Sequence, residues 1–150
     1  MNMEESTLNS GKKPVVVAVS GYFVYPHVGH IRLFESAKKL GDKLVVILNN
    51  DKQQEMKYGK VIVPEENRKE VVKALRVVDE VVISVDDDRT ICKTLEKIKP
   101  DIFANGGDRH QDEVPEAVVC RKHGIKMEDG VGGDKADATS RIKKELESTE

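Results

Sequence analysis

Two histidines three residues apart close the stretch Gly21-Tyr-Phe-Val-Tyr-Pro-His-Val-Gly-His30. At that spacing, imidazoles that open a helix face the same way. His27 and His30 then sit beside the unpaired N–H groups and the positive dipole end of a first helical turn, a natural place to hold phosphate. Gly29 between them has no side chain, so a bulky ligand can lie against the backbone between the rings. The chemistry this suits is the binding of a nucleoside triphosphate.

The flanking residues supply the elements that must position such a site. Pro14 to Ser20 is an apolar, β-branched run, and we read Val15–Ser20 as strand one. Ile31 to Leu40 has a helical pattern that ends near Gly41, which suits a left-handed cap. Lys43–Leu48 is strand two, apolar on both faces as a central parallel strand should be. Asn49 to Val63 reads as a long polar connection. A second helix starts near Pro64, with Val71, Val72, Leu75 and Val78 as its stripe. Glu80–Ser84 is strand three. Helix three runs from about Arg89 to Ile98, with Ile91, Leu95 and Ile98 inward, and Pro100 closes it. Asp101–Ala104 is strand four, followed by a helix from about Val114 to His123, a short strand Ile125–Met127 and a charged terminal helix from about Thr139.

This alternation predicts an α/β fold, a Rossmann-like doubly wound parallel five-stranded sheet with helices on both faces. One domain spans residues 14–150, behind a leader of residues 1–13 expected to be disordered. In such a sheet ligands bind at the carboxyl ends of strands, near the point where strand order reverses. The loops at those ends are Gly21–His30, Asn49–Lys60, Asn105–Asp112 and Asp129–Ser140.

Composition sets limits on function. The chain has 150 residues, 38% hydrophobic and 35% charged, with a formal net charge of −2. That balance excludes a nucleic-acid binder relying on overall positive charge. Cys92 and Cys120 form no CxxC, so reduced thiols in a cytoplasmic protein are expected. Cys120 and His123 share helical spacing, for which packing is the better reading than zinc. Asp86-Asp-Asp88 lacks the spacing of a calcium loop and reads as a solvated helix start. No apolar run has the length of a signal-peptide core or a membrane span.

Residues 21–30 resemble the Gly-Thr-Phe-Asp-x-x-His-x-Gly-His signature of the cytidylyltransferase-like nucleotidyltransferases. These include glycerol-phosphate, phosphocholine and phosphoethanolamine cytidylyltransferases. Their adenylyl-transferring relatives act on pantetheine phosphate, nicotinamide mononucleotide, flavin mononucleotide or heptose phosphate. The likeness continues through Asn50-Asp51 with Lys57, Pro64-Glu-Glu-Asn-Arg68, Val77-Val-Asp-Glu-Val81, Lys99-Pro-Asp-Ile-Phe-Ala-Asn-Gly-Gly-Asp-Arg109 and Ala138-Thr-Ser-Arg-Ile142. It departs at Val24, where the family carries Asp, and at Tyr22, where it carries Thr or Gly. The Arg-Thr-Glu-Gly run of the cytidylyltransferases is also missing near Ser140.

The resemblance implies transfer of a nucleotidyl group, CMP from CTP first, onto a small phosphorylated or phosphonate metabolite with release of pyrophosphate. ATP as donor is the alternative; another is a nucleotide-binding module without turnover. His27, His30 and Lys57 take the catalytic places. Gly21, Tyr22, Phe23, Gly29, His30, Asn105, Gly107, Asp108, Arg109, Thr139 and Ser140 take the nucleotide-binding ones, and Asp108 can accept from an exocyclic base amine. Lys57, Arg68 and Arg141 face the acceptor phosphate. Magnesium is implied as cofactor, bridging phosphates, and a homodimer as assembly. Purely structural alternatives stay open: a solvated lysine at 57, a salt bridge from Arg68 to Glu65 or Glu66 on an exposed helix, and a plain turn at Gly106-Gly107.

Overall fold

Apolar runs without a polar face build the centre of the molecule. The computed structural model describes residues 13–106 and 115–132. Val16–Gly21 (β1) leads to the helix Val28–Lys38 (α1), then Lys43–Leu48 (β2), Asp51–Tyr58 (α2) and Glu65–Lys73 (α3). Glu80–Ile83 (β3), Cys92–Ile98 (α4), Ile102–Ala104 (β4), Pro115–His123 (α5) and Lys126–Glu128 (β5) complete the order. The five strands form one sheet in the order β3-β2-β1-β4-β5, and every neighbouring pair is parallel. This is the expected α/β Rossmann-like architecture.

Side-chain alternation divides the core between two layers. Val17, Val19, Leu44, Val46 and Leu48 pack with Leu33, Phe34 and Ala37 of α1 and Val72 of α3. Ala18, Ile47 and Phe103 pack on the opposite face with Ile91, Leu95, Val119 and Cys120. Each such side chain withdrawn from water is worth roughly 1.5–3 kcal/mol. Because β1 neighbours both β2 and β4, the direction in which strands are added to the sheet reverses between β1 and β4. The loops after those strands therefore flank one crevice.

Four expectations need correction. The segment read as a polar connection contains α2, which has no apolar stripe because its buried residues are Gln53 and Gln54. Gly41 is not a left-handed cap; a Cβ there would meet the Val17 side chain at 2.7 Å and the Val15 carbonyl at 2.8 Å. It is glycine so that the turn can lie against β1. Val71 is 52% exposed, and Val72 alone is fully buried from that pair. Asp86 is buried rather than solvated: its carboxylate accepts from the N–H groups of Lys93 and Thr94 at 2.7 and 3.0 Å, capping α4.

Cys92 and Cys120 are free thiols. Burial first, then Glu116 and Cys92 nearby, push the Cys120 thiol up to about 11. No helix among the described residues is long and apolar enough to cross a membrane. The leader to Lys12, Gly107, Asp108, Arg109, Thr139, Ser140, Arg141 and the terminal helix lie outside the described residues.

Candidate active site

The loop after β1 is shaped by one aromatic ring. Phe23 is held in the left-handed region at φ 49°, and its ring folds back over the end of the strand. A Cβ at Gly21 would meet that ring at 2.7 Å, so glycine is required there. The backbone strain at Phe23, about 1–2 kcal/mol, is offset by burying the side chain. The ring packs edge-on against His30 at 4.9 Å and against Phe34 at 5.2 Å. Phe23 thus fixes His30 against the core.

His27 is the N-cap of α1 in extended conformation, and the two histidines cap the helix reciprocally. The Gly29 N–H donates to His27 Nδ1 at 3.0 Å, and the His27 N–H donates to His30 Nδ1 at 3.2 Å. Both Nδ1 atoms therefore act as acceptors, which puts the proton of each neutral imidazole on Nε2. The half-buried rings lie 4.0 Å apart. A pair of fixed N–H donors beside the N-terminal amides of a helix is suited to the oxygens of a phosphate chain.

The loop after β2 is organised from below. Arg68, expected on an exposed helix face, is 1% exposed. Its Nε donates to the Val63 carbonyl at 2.8 Å, and one terminal nitrogen donates to the carbonyls of Tyr22 and Asn49 at 2.9 and 2.7 Å. The other terminal nitrogen meets the Asp51 carboxylate at 3.1 Å. Glu65 and Asp51 in turn accept each other's backbone N–H at 2.7 Å. The ion pair of Arg68 is thus with Asp51, not with Glu65 or Glu66, and it ties the signature loop to the ends of β2 and α3.

Next to it stands a second buried network. Gln53 accepts from the Asn50 N–H at 2.9 Å and from the Ser84 hydroxyl, and donates to the carbonyls of Asp88 and Thr90 at 2.6 and 2.7 Å. Asn50 caps α2 through the Gln53 N–H at 2.8 Å. Reading the chain for hydrophobic periodicity misses these residues. The signal that finds them is the capping pair Asn50 and Gln53, followed by Gly59 at φ 83°.

Lys57 lies in the last turn of α2 with its ammonium 4.5 Å from the Tyr22 ring centroid and 5.4 Å from that of Tyr58. Across the crevice, the Asn105 N–H donates to the Glu128 carbonyl at 2.7 Å, and its side-chain amide reaches Asp129 at 3.3 Å. The chain after β5 then passes to α1, where a Cβ at Gly132 would lie 3.0 Å from the Leu33 Cα. His27, His30, Gly21, Tyr22, Phe23 and Gly29 share one loop and helix start. Tyr22 brings Lys57 to that loop, while Arg68 lies beneath it and Asn105 on its β4 side. Val24 is half-buried within the loop.

Residues 18–144 match the cytidylyltransferase-like family model. An FAD synthase of Ferroglobus placidus is 48% identical over 112 residues, covering 75% of this chain and 72% of that protein. An FAD synthase of Archaeoglobus profundus is 44% identical over 111 residues, covering 74% and 70%. The crystal structure of the lipopolysaccharide core biosynthesis protein from Thermoplasma volcanium superposes with a TM-score of 0.62 at 31% identity, covering 78% of this chain and 94% of that one. With the signature histidines at the mouth of a parallel sheet, the chain belongs to the cytidylyltransferase-like nucleotidyltransferases.

Proposed function

We propose that the chain transfers the adenylyl group of ATP to the phosphate of flavin mononucleotide, forming FAD and pyrophosphate. The observation that carries this reading is the 48% identity to an FAD synthase over 112 residues. It replaces CTP, the first expectation, by its alternative. The physical reason is that Asp108 cannot make the choice: adenine N6 and cytosine N4 both present an amine that a carboxylate accepts from.

In the reaction an oxygen of the acceptor phosphate attacks the α-phosphorus in line. A new P–O bond forms as the bond to the bridging oxygen breaks, and pyrophosphate leaves with the electron pair. No covalent protein intermediate is needed, so the work of the protein is placement and charge stabilisation. The Nε2–H groups of His27 and His30 donate to the phosphoryl oxygens, and the amides opening α1 add further donors. Lys57 supplies a positive charge at the acceptor. Arg68 acts from below by fixing the carbonyls of Tyr22 and Asn49 rather than by touching phosphate. Among the described residues no group of three or more His, Cys, Asp or Glu can hold a metal. Magnesium enters this proposal as the cofactor that would accompany the triphosphate and offset its charge. The homodimer is part of the same proposal, and a monomer by light scattering at micromolar concentration overturns it.

The test is pyrophosphate release with ATP or CTP against flavin mononucleotide, glycerol phosphate and a phosphonate. Release with ATP and flavin mononucleotide, with FAD as product, supports the reading. Release only with CTP and a non-flavin acceptor overturns it. If no pair turns over, nucleotide binding without catalysis is the remaining reading, and Val24→Asp is the variant in which activity should return.

A further inference from the structure

The aromatic residues of this chain divide by position. The sequence holds three phenylalanines and three tyrosines and no tryptophan. Phe23, Phe34 and Phe103 are all buried in the core. The tyrosines instead gather at the mouth of the site. The Tyr22 and Tyr58 rings meet edge to face at 5.8 Å, and Lys57 lies over both. Tyr58 is 42% exposed and Tyr25 is 70% exposed. Burial first, then Tyr22 and also Tyr25, raise the Tyr58 phenol, while Arg68 opposes the rise. Tyr22 and Tyr25 thus each lie within electrostatic reach of Tyr58.

The position of this cluster relative to the crevice is informative. Asn105 and the loop assigned to the nucleotide base follow β4, on one side of β1. Tyr58 and Lys57 belong to α2, which follows β2 on the other side. The histidines lie between. An in-line reaction needs the acceptor opposite the leaving pyrophosphate, and the β2 side is the one left for it. An exposed tyrosine offers a rigid ring face at low entropy cost, and aromatic faces are what flat heteroaromatic rings stack on. An acceptor such as glycerol phosphate would have no use for them.

We propose that Tyr58, packed edge to face with Tyr22, forms the platform for the planar ring of the acceptor, with Lys57 set beside it for the acceptor phosphate. This rests on the flavin reading above and assigns Tyr22 to the acceptor rather than to the nucleotide. Tyr58 is a specificity residue here: it contacts the ring and takes no part in the phosphoryl step.

The test follows flavin fluorescence, which stacking on a tyrosine quenches, in the parent chain, Tyr58→Phe and Tyr58→Leu. The parent and Tyr58→Phe should quench added flavin mononucleotide. Tyr58→Leu should bind it about tenfold more weakly, as loss of one stacking ring predicts. Its melting temperature and its thermal stabilisation by ATP should stay those of the parent. Equal flavin affinity in Tyr58→Leu, or no quenching by the parent, overturns the platform. Product analysis separates the two claims. If the parent makes FAD while Tyr58→Leu keeps its KM for flavin mononucleotide, the platform fails and the flavin reading stands. If the parent makes no FAD, the flavin reading fails, and the fluorescence result still decides whether the tyrosines hold a planar ring.

Discussion

The histidine pair and Arg68 lie at the same carboxyl edge of the sheet, and both were assigned to phosphate by their residue types. The structure treats them oppositely. Each histidine accepts a backbone N–H at Nδ1, and the rings remain half-buried at the crevice. Arg68 gives Nε and both terminal nitrogens to three carbonyls and a carboxylate, and is 1% exposed. Arg68 spends its donors on the scaffold and is closed off from solvent, whereas the imidazoles keep contact with the crevice. Residue type alone does not tell the two apart.

The contrast breaks most visibly at Arg68. Arg68→Met keeps the apolar stem and removes every donor, stranding the carbonyls of Tyr22 and Asn49, while that of Val63 keeps its bond from Gln54. Leaving such groups unsatisfied, together with the lost partner of Asp51, should cost about 3–5 kcal/mol. Urea unfolding measures this directly. An unchanged midpoint with lost phosphate affinity would return Arg68 to the ligand.

His30→Ala should behave in the opposite sense. Removing one preorganised donor lowers kcat by about 10²–10³, equivalent to 2.7–4 kcal/mol of barrier, with a smaller effect on ATP affinity. Its capping bond to the His27 N–H adds a stability loss of about 0.5–2 kcal/mol. Measuring kcat and unfolding free energy on the same variant sharpens the comparison. A full stability loss with near-parent turnover at low temperature would make His30 a cap and nothing more.

Lys57→Ala is intermediate in activity and slight in stability. The ammonium over the half-buried Tyr22 ring contributes roughly 0.5–1 kcal/mol, so the melting temperature should barely move. KM for the acceptor should rise about tenfold, or ~1.4 kcal/mol, while KM for ATP changes less. A large drop in melting temperature with intact kinetics would place Lys57 with Arg68 in the scaffold.

These contrasts also mark what was legible in the sequence. β2 was legible because Leu44 to Leu48 is apolar at every position and buried throughout. The histidine pair was legible because a buried strand, a glycine turn and a helix start meet there. α2 was not, since its inward residues are Gln53 and Gln54, whose burial depends on partners as far as 37 residues away along the chain. Arg68 failed for the same reason: four acceptors from separate segments converge on it only after the sheet has formed. Polar burial is a tertiary property, and no local period announces it. Donor identity was illegible on other grounds, because one carboxylate near a base reads adenine and cytosine alike.

The smallest effect concerns the far end of the Gln53 network. The Asp88 carboxylate accepts from the Thr90 hydroxyl at 2.7 Å and the Thr90 N–H at 2.9 Å, and these bonds hold its pKa below the usual carboxylate value. They shape the turn whose carbonyls receive Gln53. A carboxyl with a depressed folded-state pKa stabilises the fold above its unfolded pKa, near 3.9, and loses that contribution as pH falls through the folded value. Asp88→Asn preserves an acceptor oxygen and removes the charge, so its stability deficit against the parent isolates the charge effect. Because Asp88 is exposed, solvent keeps that deficit small. It should be constant between pH 7 and pH 5 and close only below about pH 4. A deficit that already closes between pH 7 and pH 5 would trace to another titrating group and would detach Asp88 from the network that Gln53 anchors.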